Sequence, residues 1–142
     1  MSLSTNRKTD LLRDVQLFAG VDPQHLARIA DAAEEIELPA ERPVVRQGEV
    51  GTGFYLVVSG GVRVVRDGEV LARLGPGEFF GELSVLDGQP RIAQVVTDEP
   101  TTCLAIASWD FERLLLAEPA LTVAILRGVA RRLRALSEDH RH

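Results

Sequence analysis

The chain has 142 residues, 45% of them hydrophobic, a formal net charge of −5 and a single cysteine. That is one domain's worth of sequence with enough apolar content for a real core, and one cysteine excludes an internal disulfide. Residues 1–126 carry a net −8 and residues 127–142 a net +3. An acidic body lacks the basic face that nucleic-acid phosphates require, so DNA binding by this chain alone is not expected.

Met1–Asp10 is polar, without the apolar stretch of a signal peptide. No window approaches the length of a membrane span. A cytoplasmic protein with no membrane partner is the expectation.

Residues 7–35 read as helical. Leu17-Phe18 and a loop at Ala19-Gly20-Val21 precede Asp22, a side chain suited to cap a helix, and Pro23, whose fixed φ suits the first helical position. Leu26, Ile29, Ala30 and Ala33 follow at helical spacing, with Arg28, Asp31, Glu34 and Glu35 on the other side.

From residue 36 to 107 the pattern changes to short strands punctuated by Gly, Pro and Asp. Val44–Arg46, Phe54–Val58, Val62–Arg66, Val70–Leu74, Ile92–Thr97 and Thr101–Ala107 are the main apolar or alternating runs. Asp67-Gly68 is a two-residue hairpin signal, because both residues tolerate positive φ. About eight strands at this spacing predict a small barrel or jelly roll. Cys103 lies inside the last run and reads as a buried strand residue.

Residues 108–138 are again helical. Ser108 is placed to cap a helix ended by Glu118-Pro119, and a second helix runs on to about Glu138. In that helix Leu126, Val129, Leu133 and Leu136 are spaced 3, 4 and 3 apart. Such a seam serves either a second copy or the chain's own barrel.

The chemistry concentrates between Phe79 and Val96. The six residues Glu82–Asp87 suffice for one short helix, which Gly88 breaks before Pro90 starts a new strand. A helix that short stabilises little, but its first N–H groups can hold an anion. Gly81 lets the anion approach, having no Cβ, and Arg91 offers a planar fork for phosphate. A carboxylate at Glu82 would repel phosphate unless the ligand also carries a donor such as a sugar hydroxyl. The three together read as a ribose-phosphate cradle.

Phe80-Gly81-Glu82-Leu83-Ser84 followed by Pro90-Arg91-Ile92-Ala93 closely resembles the phosphate-binding cassette of cyclic nucleotide-binding domains, the family of bacterial catabolite activator proteins and regulatory subunits of cAMP-dependent kinase. The resemblance extends over roughly residues 15–138. It implies an α+β, mainly β fold within a single domain, residues 1–142. An eight-stranded β-roll or jelly-roll barrel would carry helices at both ends and the short cassette helix. It implies cAMP as ligand, with cGMP second, held by Gly81, Glu82, Leu83, Ser84, Arg91, Ile92 and Ala93. In the family a hydroxyl after the Arg favours cGMP, and Ile92 has none. Arg132, Leu136 and Ser137 match the family's base-covering turn and are the expected lid. Glu41 departs from the family, which commonly has Gly in that turn, so a slightly altered turn is expected there.

An enzyme on the related cupin scaffold would need several His at metal-ligand spacing. His25, His140 and His142 all fall outside the expected barrel, so neither metal, cofactor nor catalytic residue is expected. The reading is a cyclic nucleotide sensor whose last helices shift on binding and act on a separate, unidentified effector protein, with a homodimer through residues 121–137 as a further expectation. The alternatives are a ligand-free docking or dimerisation module, favoured by the bulk of Ile92, and the ligand-binding piece of a transcription regulator.

Overall fold

A computed structural model describes residues 5–15, 18–48, 53–81 and 93–139. Two antiparallel four-stranded sheets face each other, with helices α1 (Thr5–Arg13), α2 (Pro23–Ala32), α3 (Ser108–Ala117) and α4 (Pro119–Asp139) at the two ends of the chain. The first sheet is ordered β1 (Glu34–Leu38), β8 (Thr101–Ala107), β3 (Gly53–Ser59), β6 (Phe79–Phe80). The second is ordered β2 (Pro43–Val45), β7 (Gln94–Thr97), β4 (Val62–Arg66), β5 (Glu69–Leu74). The expected β-roll with helices at both ends is therefore the observed architecture.

Its organising strands are β3 and β8, paired from Gly53↔Ala107 to Ser59↔Thr102 across one bulge. Successive strand residues point to opposite faces. Phe54, Leu56, Leu104 and Ile106 join Leu12, Phe18, Leu26, Ile29, Phe111, Leu121 and Ile125 in a core between this sheet and the helices. Val57 and Cys103 point the other way, into a second core with Val45, Val62, Phe80 and Val95 between the sheets. Both faces of these two strands are thus buried, which is why their sequences are nearly continuous apolar runs. Phe18, Phe54 and Phe111 meet within 5.6–6.4 Å of one another, mixing edge-on and stacked contacts.

The start of α2 follows its sequence closely. Asp22 accepts the His25 backbone N–H at 2.9 Å, Pro23 opens the helix, and Leu26, Ile29 and Ala30 are buried. The His25 N–H bond, with help from the imidazole, also holds the Asp22 carboxyl below its ordinary range. The helical region is shorter than the 7–35 expected, because β1 already begins at Glu34, where Glu34↔Ala105 pairing captures the chain. The strand region accordingly starts two residues before 36. Ser108 is not a cap: Ala107 occupies that position without a side-chain bond, and Ser108 is the first helical residue.

The Asp67-Gly68 hairpin forms as expected, with φ of 53° and 83° and Arg66↔Glu69 pairing. Glu41 keeps the conformation a glycine would adopt, φ 58°. The strain at Glu41 is offset by neighbours. Glu41 N–H donates to Thr97 O at 2.9 Å, and its carboxylate meets Arg63 at 2.6 Å.

Arg63 continues to Asp98 at 2.6 Å, and Arg73 reaches the same carboxylate at 2.7 Å. This network joins the β1–β2 turn, β4, β5 and the β7–β8 turn at one end of the barrel. The Arg63 bond, reinforced by Arg73 against partial desolvation, lowers the Asp98 pKa below the ordinary 3.8. A lowered carboxylate pKa stabilises the fold above the unfolded value and ceases to do so as pH falls through the folded one. Thermal melts should therefore show Asp98→Asn less stable than the parent near neutral pH. The two curves should converge on acidification below the ordinary value; curves that stay parallel would show that Asp98 carries no such linkage.

Gly60, at φ 88°, lies so close to the β7–β8 turn that a Cβ would stand 2.5 Å from Pro100 O and 2.6 Å from Thr101 Oγ1. Gly68 has a similar φ of 83° and open space around it. Gly68→Ala should cost only the backbone strain, about 1–2 kcal/mol. Gly60→Ala should cost clearly more in denaturant unfolding, and equal losses would refute the close-approach argument.

Candidate functional site

The expected cradle begins where β6 ends. β6 is two residues long and lies at an edge of the first sheet, paired as Tyr55↔Phe80 and Leu56↔Phe79. A turn holds it in place: Gly77 N–H donates to Val57 O and Val57 N–H to Glu78 O, both at 2.8 Å. The Glu78 carboxylate also accepts Gly75 N–H at 3.0 Å. Alternation then sends Phe79 to the helix side, 5.6 Å from the Phe54 ring, and Phe80 to the space between the sheets. There the Tyr55 ring stacks on Phe80 with centroids 5.0 Å apart and planes 13° apart.

Gly81 follows at φ 92°, a value open to glycine and strained for any side chain. The chain next enters a sheet at Gln94, opposite Val65 of β4, and continues with Val95 between β2 and β4. Gly81 thus follows an edge strand of one sheet, and Ala93 leads into an inner strand of the other. The two residues of the expected site that are described, Gly81 and Ala93, are both half-buried and mark its two ends. Glu82, Leu83, Ser84, Arg91 and Ile92, with the short helix expected at 82–87, lie outside the described residues.

Of the expected lid, Ser137 lies on α4 and is exposed. Arg132 and Leu136 are on the same helix, their side chains outside the described set. The seam through Leu126, Val129, Leu133 and Leu136 is not a single face. Leu126 and Leu133 are 63% and 65% exposed, whereas Val129 packs on the chain's own core beside Leu121 and Ile125. A real helix turns by 3.6 residues, so a short seam read at 3.5 can take in a residue from the neighbouring face.

Two features carry little sequence signal. One is the Tyr55–Phe80 stack beneath the start of the cradle, since the strand pairing that brings the rings together is non-local. The other is Glu118, the break between α3 and α4, which meets His25 Nε2 at 3.2 Å and also pairs with Arg28 of α2. Burial pushes the Cys103 thiol up to about 11, so it is protonated and unreactive at neutral pH. Among the described residues no cluster of His, Cys, Asp or Glu is placed to hold a metal ion, and no helix is long and apolar enough to cross a membrane.

Residues 35–118, from β1 to the end of α3, match the family model of the cyclic nucleotide-binding domain. The chain belongs to that family. It is 37% identical over 123 residues to the cyclic AMP receptor protein of Thermus thermophilus, covering 83% of this chain and 57% of that protein. It is 31% identical over 140 residues to a CRP-like cAMP-activated global transcriptional regulator of Mycobacterium tuberculosis, covering 92% of this chain and 60% of that protein. The chain thus spans somewhat over half the length of these relatives. Among solved structures, the N-terminal domain of a transcriptional regulator from Streptomyces coelicolor superposes with a TM-score of 0.80 at 34% identity, over 93% of this chain and 95% of that one.

Proposed function

We propose that this cyclic nucleotide-binding domain senses cAMP, in preference to cGMP, and regulates a separate effector protein without catalysing a reaction. The observation that carries the reading is the position of the cassette motif. Phe80 and Gly81, which open the motif, stand at the exit of β6 with Gly81 at φ 92°, and Ala93, which closes it, stands just before β7, so the motif's two described ends belong to different sheets. The names of the Thermus and Mycobacterium relatives, a cyclic AMP receptor and a cAMP-activated regulator, support cAMP as the nucleotide.

In this reading Gly81, Leu83 and Ser84 supply backbone donors and room for the phosphate. Glu82 accepts from the ribose 2′-OH, Arg91 neutralises the cyclic phosphate, and Ile92 and Ala93 border the base. Arg132, Leu136 and Ser137 close over the ligand from α4, which is the element whose position the ligand biases. The outward residues of α4 support a protein partner at 121–137, an effector or a second copy, and the chain works in the cytoplasm without membrane, DNA, metal or cofactor.

Isothermal titration with cAMP and cGMP side by side tests the proposal. Arg91→Ala should weaken cAMP binding by roughly 2–5 kcal/mol, because a buried phosphate charge would lose its partner; unchanged affinity would remove Arg91 from the site. Ile92→Thr should narrow the gap between the two nucleotides, by giving guanine a hydroxyl to bond. Tighter cGMP than cAMP binding by the parent would overturn the base preference.

A further inference from the structure

His25 stands in the first turn of α2, and both nitrogens of its ring face carboxylates. Nδ1 lies 2.8 Å from Asp22 Oδ2, and Nε2 lies 3.2 Å from Glu118 Oε2. An ionised carboxylate accepts and does not donate, and a neutral imidazole donates from one nitrogen only. The two contacts are therefore complete together only in the protonated ring. Asp22 suits that arrangement: the His25 backbone N–H, helped by the ring, holds its carboxyl below the ordinary range, so it stays an anion in mild acid.

The contact joins elements far apart in sequence. Asp22 caps α2, whereas Glu118 is the break between α3 and α4, and its carbonyl accepts Thr122 N–H at 3.1 Å in the first turn of α4. The His25 and Glu118 side chains are 19% and 18% exposed, so water and salt screen them less than they screen surface pairs such as Asp10–Arg13.

Four charged groups surround the ring. α2 contributes Asp22 and Arg28, the α3–α4 junction contributes Glu118, and α4 contributes Arg127, which lines the same groove as His25. Arg28 also pairs with Glu118, so that carboxylate keeps a partner when the ring is neutral. α1, packed on α2, has Lys8 donating to Ala33 O beyond the far end of α2, and its Asp10 is paired with Arg13. The ring therefore adds a tie that a proton can make or remove to one that Arg28 makes throughout.

We propose that His25 is a proton-operated latch, fastening the root of α4 to the start of α2 when charged and slackening when neutral. With the latch closed, the turns of α4 beyond it are the ones left to move; with it slack, the helical layer can also yield at its root. The proposal does not rest on the nucleotide reading, because neither His25 nor Glu118 belongs to the cassette.

Amide hydrogen exchange of the 142-residue chain, corrected for intrinsic rates, tests this at pH 5.5 and pH 8.5, on either side of the ordinary histidine value of about 6.5. At pH 5.5 the amides of residues 122–126 should be about fivefold better protected in the parent than in His25→Gln, and at pH 8.5 the two should agree. Glu118→Gln, which loses the latch and the Arg28 pair together, should show a deficit at both values, larger at pH 5.5. His140 and His142 are present in all three chains and cancel from the comparison. No deficit in His25→Gln at pH 5.5, or the same deficit at both values, would overturn the latch, the second by showing that the ring only packs. Circular dichroism melts check that each variant is folded. If His25→Gln is not, the Glu118→Gln comparison decides alone, and a deficit independent of pH there would overturn the proposal equally.

Discussion

β3 and β8 are buried on both faces, and the rest of the architecture follows from that. A strand pair with one wet face needs one covering layer; a pair with two apolar faces needs two. Phe54, Leu56, Leu104 and Ile106 demand the helices, and Val57 and Cys103 demand the second sheet. The chain meets the first demand with elements from both its ends, so α2, α3 and α4 become one layer although α2 and α3 are more than seventy residues apart in sequence. At roughly 1.5–3 kcal/mol per fully buried large side chain, either core removed would leave a deficit that no surface ion pair could offset.

The same constraint places the candidate site. β6 pairs with β3 over only two residues, Phe79 and Phe80, and the next described strand, β7, belongs to the second sheet. The exit of β6 lies beside the stacked Tyr55 and Phe80 rings, and the entry to β7 lies on the other sheet. The Arg63–Asp98–Arg73 network sits at the other end, beside Thr97 and the β7–β8 turn. That end of the barrel is fixed by charge and tight turns.

What was legible in the sequence was mostly local. The Asp22-Pro23 start, the alternation in β4 and the Asp67-Gly68 hairpin each depend on a few adjacent residues, and each forms. The cassette was legible as a motif because Gly81, Glu82 and Arg91 are recognisable by type and spacing, and of these Gly81 is among the described residues. Non-local features escaped. Nothing near Glu41 says that Arg63, twenty-two residues on, will support it at φ 58°. Nothing near Glu118 says that His25 and Arg28 will hold it. Val129 falls in the expected seam but on the inward face, because a spacing of three or four cannot tell a helix's outward row from the inward row beside it.

That ambiguity in α4 has a physical origin. Leu121 and Ile125 tie the helix's first turns into the core shared with Leu12, Phe18 and Leu26, and Gly128 is buried about one turn further on. Its root is fastened to α2 through Glu118, and Arg131 further along is fastened to the loop before α2 through Ala19 O. These ties make α4 continuous with the helical layer and not with the sheets. In the proposed reading a ligand has two ways to displace α4: directly through its last turns, or through movement of the whole helical layer over β3 and β8. The second route must preserve the Phe18–Phe54–Phe111 contacts, which bridge the layer and the sheet. Close packing penalises sliding there far more than it penalises bending of a helix whose outer turns are solvated. In the proposed reading the free end of α4, beyond the turn anchored by Arg131, is therefore the part that moves.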